Sequence, residues 1–471
     1  MGEILQSKIW DWPAEKPVGA RLATGRERCQ KPGTMKDRGP QPAAFEASPP
    51  LSGTLAVPGD KSISHRALMI AAMAAGRSRI EGLSEGEDVR STAGALSAMG
   101  VRIAPAEDGA WTVDGVGTGA LLQPERALDM GNSGTSARLL VGLASSHRLT
   151  ATFTGDSSLS RRPMERVAAP LRRIGADIAC APGGRLPLTV RGLCPAIPRT
   201  HRLEIASAQV KSALLLAALN IPGETRVIEP APTRDHSERM LEAFGADIAR
   251  DGNEILLRGE AGLRARALRI PGDPSSAAFL LTAALIVPGS EVTVTGVGTN
   301  PTRTGYFETL RAMGAGLSFA NEHIVGGEPV ADVTARHSPL AAVEVEPESV
   351  PAMIDEFPIF FVAAAFARGT SRATGIGELR LKESDRIAAM AEALEAIGAR
   401  VRQGGDWIEI EGSSGEPLAG GADIASRLDH RIAMSLAVAG LHCRSAVIVD
   451  DMSAAATSFP GFAEALSGLA R

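Results

Sequence analysis

One pattern recurs along this chain and narrows its possible folds more than any other feature. A helix-forming run ends in an apolar residue, then Gly, then usually Ala, then a short strand-forming run. It reads SAMGVRI at 97–103, RRIGADI at 172–178, EAFGADI at 242–248, RAMGAGL at 311–317 and EAIGARV at 395–401. The glycines are Gly100, Gly175, Gly245, Gly314 and Gly398. A glycine just past a helix supplies the left-handed turn that ends it. A degraded sixth copy, EALSGLAR, closes the chain. A second feature keeps step with the first. Ala/Leu-rich helices are predicted to begin near 62, 133, 207, 274, 354 and 430, each followed by a β-rich run such as RLTATFTG or EVTVTG. The unit is therefore helix, strand, helix, strand, six times over. At about 71 residues it is longer than the roughly 20–50 residues of solenoid repeats, so each copy is a small βα module.

The first helix of each unit is apolar nearly all round, as in KSALLLAALNI, PSSAAFLLTAALIV and PIFFVAAAFA. Such helices are buried on every face. The second helices, such as ERVAAPLRRIG and AAMAEALEAIG, carry charge on one side. The expected fold is α/β (α+β), with helices inside and sheets outside: a two-domain inside-out α/β barrel of six βα units. The tripeptide PGD occurs at 58–60 and at 271–273, with three units between the copies and three after. Two crossings there give one domain at 60–272 and a discontinuous one at 48–59 plus 273–471. Seven of the 30 prolines fall in the first 50 residues, among charges and without apolar periodicity. Residues 1–47 therefore read as a poorly ordered N-terminal tail. The alternative is a short ordered segment packed by Trp10 and Trp12.

Composition excludes several function classes. Lys plus Arg is 49 and Asp plus Glu is 54, a net charge of −5, which does not suit a nucleic-acid coat or a polybasic membrane anchor. Aromatics are 4%, too few for base-stacking platforms. The longest apolar run, near 359–367, is far short of the ~18 residues that span a bilayer. Cys29, Cys180, Cys194 and Cys443 form no CxxC pair, so neither a zinc ribbon nor a disulfide framework is expected, and a reducing cytoplasm fits. Glu3, Asp11, Glu15 and Glu27 argue against a transit peptide.

The unusual polar residues gather where the buried helices begin. PGDKSISHR carries Lys61, Ser62 and Arg66; GNSGTSAR carries Asn132, Ser133, Gly134, Thr135 and Arg138; GDSSLSRRPM carries Arg161 and Arg162. SAQVKS carries Ser207, Gln209 and Lys211; MIDEFP carries Asp355 and Glu356. LKESDR carries Lys382, Glu383 and Arg386, and LDHR carries Asp429, His430 and Arg431. Helix N-termini offer free N–H groups and partial positive charge, so they attract anions. With Lys, Arg, Ser and Thr added, such starts suit phosphate and carboxylate groups. If they converge, the cleft is cationic despite the net charge; the bland alternative is six separate solvated turns. Asp355 and Glu383 lie among cations and are candidates for proton transfer. Against this, Glu383–Arg386 is also an ordinary i,i+3 ion-pair spacing. No P-loop, HExxH, nucleophile elbow or dinucleotide fingerprint occurs, and nothing calls for a metal or a cofactor. The residues alone point to a metal-free transferase acting on small, multiply anionic substrates between two pseudo-symmetric domains.

Ten segments in order, from LSGTLAVPGDKSISHRA through GNSGTSARLL, SLSRRPM, SAQVKSALLLAAL, TRDHSERML, PGDPSSAAFLL, NPTRTG, MIDEFPI and LRLKESDRI to LDHRIAMSLAVAGL, resemble the EPSP synthase family, the 3-phosphoshikimate 1-carboxyvinyltransferases. SAQVKSA, TRDHSE and NPTRTG are most similar to its class II group. The resemblance implies transfer of the carboxyvinyl group of phosphoenolpyruvate to the 5-hydroxyl of shikimate 3-phosphate, with release of phosphate. It implies a cytoplasmic monomer without cofactor, nucleic acid or membrane partner. It assigns Lys61, Ser62, Arg66, Ser207, Ala208, Gln209, Asp355 and Lys382 to shikimate 3-phosphate. It assigns Lys61, Gly134, Arg162, Gln209, Arg386 and Arg431 to phosphoenolpyruvate. Asp355, Glu383 and Lys61 are the implied catalytic residues, with Asp355 deprotonating the hydroxyl and Glu383 exchanging the methylene proton. Gly134 implies a pocket open to the inhibitor glyphosate, although Leu139 stands where many sensitive members carry Pro. Thr457 stands where many members carry Lys, and Ala208 where others carry a second Ser. The sibling family that acts on UDP-N-acetylglucosamine normally uses a Cys in a loop that corresponds to 154–165, which has none here. A catalytically dead anion-binding repeat protein would have no need of both Asp355 and Glu383.

Overall fold

The computed structural model of the chain describes residues 39–470. Trp10, Trp12 and the tail as far as residue 38 lie outside the described residues. Six apolar helices form at the expected places: Lys61–Met73, Gly134–Ser145, Ala208–Ala218, Pro274–Ile286, Phe357–Phe366 and His430–Gly440. Every residue of Pro274–Ile286 and of Phe357–Phe366 is buried. The second helices are Glu87–Ala98, Glu165–Arg172, His236–Ala243, Gly305–Ala312, Arg386–Ala396 and Phe462–Gly468. Five of them end at the recurring glycines, whose φ lies between +85° and +103°, a region that costs a side chain about 1 kcal/mol or more.

One helix starts later than expected. Pro358 has no N–H to bond the carbonyl of Ile354, so the short helix Val350–Met353 cannot run on into Phe357–Phe366. Asp355 is left in the turn between them.

Five four-stranded sheets share one plan. The strand after the first helix pairs in parallel with the strand that precedes that helix. On its other side it pairs antiparallel with the last strand of the unit. Thus Thr150–Thr154 lies between Leu128–Asp129 and Arg185–Arg191, and Glu224–Ile228 lies between Thr200–Arg202 and Glu254–Arg258. The strands bury alternate residues, as in Arg185–Arg191, and turn the others outward. The fold is mixed α/β with helices at its centre.

The preceding strand is exchanged at two places. Ser52–Ala56 pairs with Glu291–Gly298, and Ala267–Arg269 pairs with Ala75–Glu81. The two PGD tripeptides therefore run past each other. Asp60 N donates to Pro271 O at 2.8 Å and Asp273 N donates to Pro58 O at 2.9 Å. A Cβ on Gly59 would overlap the carbonyl of Gly82, so only glycine fits there. The buried apolar side chains form two clusters, one from Ile63 to Ile270 and one made of Leu51 with Ala277 to Leu469. In the second, Phe357, Phe360 and Phe361 pack with ring centroids 5.7–5.9 Å apart. Truncating one such ring to Ala costs about 3–5 kcal/mol.

The expected tail boundary at 47 is wrong at its C-terminal end. Ala43–Phe45 is a strand, antiparallel to Val447–Val449. Residues 43–45 take, beside Val447–Val449, the antiparallel place that a unit's own last strand takes in the other sheets. Phe45 packs on the second apolar cluster, and Gln41 O accepts from Met452 N at 2.8 Å. A tail reading based on prolines misses a strand of three residues completed from the far end of the chain. A chain beginning at residue 48 is expected to melt below one beginning at residue 40, by about 3 °C for each kcal/mol of pairing and packing removed. Equal melting temperatures in a calorimeter would show that this strand contributes nothing.

Candidate active site

The starts of all six apolar helices line one cavity of ≈ 350 Å³. They reach it as Lys61, Ser62 and Arg66; Gly134, Thr135 and Arg138; Ser207, Ala208 and Gln209; Asp273 and Ser275; Asp355; and His430 and Arg431. Arg162, Lys382 and Glu383 come from the loops that lead into the second helices of their units. The bland picture of separate solvated turns is therefore excluded. Side chains hold the helix starts in shape: Asp60 Oδ1 accepts from Ile63 N at 2.8 Å, Ser133 Oγ from Ser136 N at 3.1 Å and Asp429 Oδ1 from Arg431 N at 3.0 Å. Each cap takes one of the four N–H groups that lack a partner within the helix, leaving the others for neighbours or an anion.

Two carboxylates face this field. Asp355 Oδ2 lies 2.7 Å from Arg234 Nη2, and Oδ1 lies 3.5 Å from Lys382 Nζ and 3.8 Å from Arg386 Nη1. The carbonyl of Asp355 also accepts from Arg431 Nη1 at 2.8 Å. Burial pushes the Asp355 carboxyl up, but Lys382, Arg234, Arg431 and Arg303 outweigh it and hold it well below the usual range. Glu383 Oε2 accepts from Arg386 Nη2 at 2.7 Å, and Oε1 lies 3.4 Å from Arg162 Nη1. Burial again pushes this carboxyl up, and Arg386 and Arg162 hold it well below the usual range. Both groups are ionised at neutral pH in the free site. Burial lowers the Lys382 ammonium, and Arg386 and Arg234 lower it further against the pull of Asp355. His430 is kept neutral by burial and by Lys61 and Arg431.

Glu383–Arg386 is more than a surface i,i+3 pair. The Arg386 side chain is 1% exposed, its Nε donates to Asp429 Oδ2 at 2.9 Å, and it stands as a wall behind Glu383 rather than lining the cavity. Lys61 Nζ donates to Asp88 Oδ2 at 3.1 Å, which fixes its direction. Arg66 is buried, with Nε on Ser237 Oγ at 2.7 Å and Nη2 on Ser212 Oγ at 2.8 Å. Gln209 bridges Arg138 Nη1 and Thr135 Oγ1 at 2.8 and 3.0 Å. Arg162 Nη2 donates to Asn132 Oδ1 at 2.5 Å. A Cβ on Gly134 would lie 2.8 Å from Arg138 Nη1 and 3.1 Å from Arg162 Nη1.

Two residues of the sequence clusters, Arg161 and Lys211, point away from the cavity, as does Thr457. Arg161 is exposed, while its neighbour Arg162 faces in. Lys211 is fully buried behind its helix, 2.9 Å from Glu229 Oε2 and 2.7 Å from Glu238 Oε1. Thr457 is buried in the turn Met452–Thr457, its carbonyl packed against Gly86. The cavity adds Asp88, Arg166, Arg234, Arg303 and Glu378, to which no role was assigned. Arg234 and Arg303 precede second helices, in TRDH and NPTRTG. Reading those starts by the same rule as the first helices would have found them. Among the described residues, no group of three or more His, Cys, Asp and Glu could hold a metal ion. No single helix there is long and apolar enough to cross a membrane.

Comparison with known proteins agrees with this geometry. The family model described as EPSP synthase (3-phosphoshikimate 1-carboxyvinyltransferase) matches residues 45–466. The 3-phosphoshikimate 1-carboxyvinyltransferase of Sphingopyxis alaskensis is 59% identical over 92% of this chain and 100% of its own length. That of Zymomonas mobilis is 56% identical over 90% of this chain and 95% of its own. The EPSP synthase structure from Acinetobacter baumannii superposes with a TM-score of 0.81 at 45% identity, covering 92% of this chain and 98% of that one. The enolpyruvyl transferase NikO of Streptomyces tendae, at 20% identity and a TM-score of 0.74, shares the fold. From strand Ala43–Phe45 to the last helix, this chain is a member of the EPSP synthase family.

Proposed function

We propose that the cavity carries out the family's reaction, moving the carboxyvinyl group of phosphoenolpyruvate to the 5-hydroxyl of shikimate 3-phosphate and releasing phosphate. The observation that carries this reading is the pair of ionised carboxylates held at the meeting point of six helix starts. Lys61, Ser62, Arg66, Ser207, Ala208, Gln209 and Lys382 hold shikimate 3-phosphate, and Arg234 is well placed to join them. Lys61, Gly134, Arg162, Gln209 and Arg431 hold the phosphate and carboxylate of phosphoenolpyruvate, with Arg386, expected among them, acting through its charge from behind Glu383. Glu383 gives a proton to the methylene carbon, making C2 electron-poor. The 5-hydroxyl oxygen attacks C2 and its proton passes to Asp355. The tetrahedral intermediate then loses phosphate as the methyl group returns a proton to Glu383. Fixed cations do this without reorganising, which is where such sites derive most of their advantage.

The two apolar clusters and the exchanged strands support a division into 60–272 and 48–59 plus 273–471, an inside-out barrel of three units in each. The crossing at 58–60 and 271–273 serves as the hinge.

Phosphate release should occur with shikimate 3-phosphate and not with UDP-N-acetylglucosamine; the opposite preference would assign the chain to the sibling activity. Glu383→Gln should lower kcat by about 10²–10⁴-fold with substrate binding retained. A loss of only a few-fold would remove Glu383 from proton transfer.

An ionised Glu383 has to gain a proton before it can give one. The anionic groups of phosphoenolpyruvate compensate Arg162 and Arg386, which removes the field that holds the carboxyl low. Its pKa therefore rises on binding. At about pH 8, where both substrate phosphates are fully ionised, forming the complex should take up protons. Titration calorimetry in buffers of different ionisation enthalpy measures this uptake, and Glu383→Gln should abolish it. Equal uptake in both proteins would assign the proton to another group.

Gly134→Ala should weaken glyphosate by about tenfold and phosphoenolpyruvate by less. The methyl group displaces the Arg138 and Arg162 guanidinium ends, and the longer anion has less room to follow. Ki and KM measured in both proteins decide this; unchanged values would place control of the pocket elsewhere, Leu139 first.

A further inference from the structure

Arg303 has a place in this site that the roles above do not use. It sits in the turn 299–304, where Asn300 Oδ1 accepts from Thr302 N at 2.9 Å and from Thr302 Oγ1 at 2.8 Å, and Arg303 N donates to Asn300 O at 2.8 Å. That turn aims the guanidinium inward, where the side chain is 3% exposed. Nη2 donates to Ser275 Oγ at 2.7 Å and lies 3.4 Å from Glu356 Oε1 and 3.5 Å from Asp273 Oδ1. Nη1 lies 4.0 Å from Asp355 Oδ2. Asp273 also accepts from Lys61 N, 3.4 Å away across the chain crossing. One guanidinium thus ties the crossing to the turn that carries Asp355 and Glu356.

Asp355 has other cationic neighbours, and they differ in freedom. The side chains of Arg234 and Lys382 are 13% and 29% exposed and open to the cavity, so they can turn to a bound phosphate. Arg303 is held through Nη2 by Ser275, with Glu356 and Asp273 beside it, as Arg386 is held on the other side of Asp355 by Asp429 and Glu383. We propose that Arg303 is a positioning residue: it fixes the Asp355 carboxylate from the crossing side while the more exposed cations turn to the substrates. This rests on the reading of Asp355 as the group that receives the hydroxyl proton. The alternative is a purely structural role, in which Arg303 only neutralises the buried acids Asp273 and Glu356.

The test compares Arg303→Met and Arg303→Lys with the unaltered chain, in kcat, both KM values and the pH profile of kcat. Asp355 is faced by Lys382, Arg234, Arg386 and Arg431 besides Arg303, and Arg303 by Asp60, Asp273 and Glu356. Removing the Arg303 cation withdraws support from the Asp355 carboxylate, so the acid limb moves to higher pH. Arg303→Met should lower kcat by about 10–100-fold, the scale of a misplaced catalytic group, with both KM values within about threefold. Arg303→Lys keeps the charge but not the fork; it should restore the acid limb and only part of kcat. A lowered melting temperature with kcat and acid limb unchanged would overturn the proposal in favour of the structural role. If Arg303→Met does not fold, Arg303→Lys decides, since a kcat equal to that of the unaltered chain overturns the proposal. Asp355→Asn separates the two ideas. Full turnover in that variant defeats the reading of Asp355 itself, whereas its loss beside normal Arg303 variants defeats only the present inference.

Discussion

The candidate site depends on gathering positive charge in a largely buried cavity. Guanidinium and ammonium groups lose hydration when buried, and only nearby carboxylates or a bound anion compensate. The chain meets that need with Asp355, Glu383, Asp429, Asp273 and Asp88, each within about 4 Å of one or more cations. Nine Lys and Arg line the cavity against five Asp and Glu, so it keeps an excess of positive charge, and the field holds Asp355 and Glu383 in the ionised form. Substrates bring new anions and so change the balance. On the proposed reading, acid–base chemistry here is a response to binding, because Glu383 gains a proton only when other negative charge satisfies the arginines around it.

Such a cavity needs rigid walls, and the apolar helices supply them. A helix buried on every face has nowhere to slide, so its first turn is fixed in position. The polar residues at those first turns inherit that precision. Sheets outside and helices inside bring six helix starts to one point, which a layer of helices over a single sheet would not. The recurring first helix is the economical source of this geometry, because each copy carries its start to the same cavity.

Much of this was legible in the sequence, for physical reasons that can be named. The recurring Gly after the second helix marked the repeat because a left-handed turn excludes most side chains. The all-apolar first helices declared their burial. The polar clusters were readable because Lys, Arg, Ser and Asp at a helix start have one common use. The misses have equally definite causes. Lys211 belongs to a polar cluster by position, yet it points behind its helix to Glu229 and Glu238, and only the packing decides which face is which. Arg161 and Arg162 differ in direction although adjacent. Ala43–Phe45 gains its strand from Val447–Val449, a partner 400 residues away that no local pattern reveals. The start of Phe357–Phe366 depended on Pro358, whose missing N–H also leaves Asp355 in a turn rather than on a helix.

The chain crossing joins the fold to the chemistry. Asp60 and Asp273 each cap an apolar helix and each hydrogen-bonds the backbone of the opposite strand at the crossing. Both are buried, and they respond differently. Burial and the nearby Asp60 push the Asp273 carboxyl up, while burial of Asp60 is outweighed by Arg303 and His236 and its carboxyl is held down. Arg303 lowers both carboxyls and so eases the repulsion between them. The same arginine reaches Asp355. A cation beside the strand crossing is therefore also a neighbour of Asp355, and one side chain joins the crossing to the candidate site.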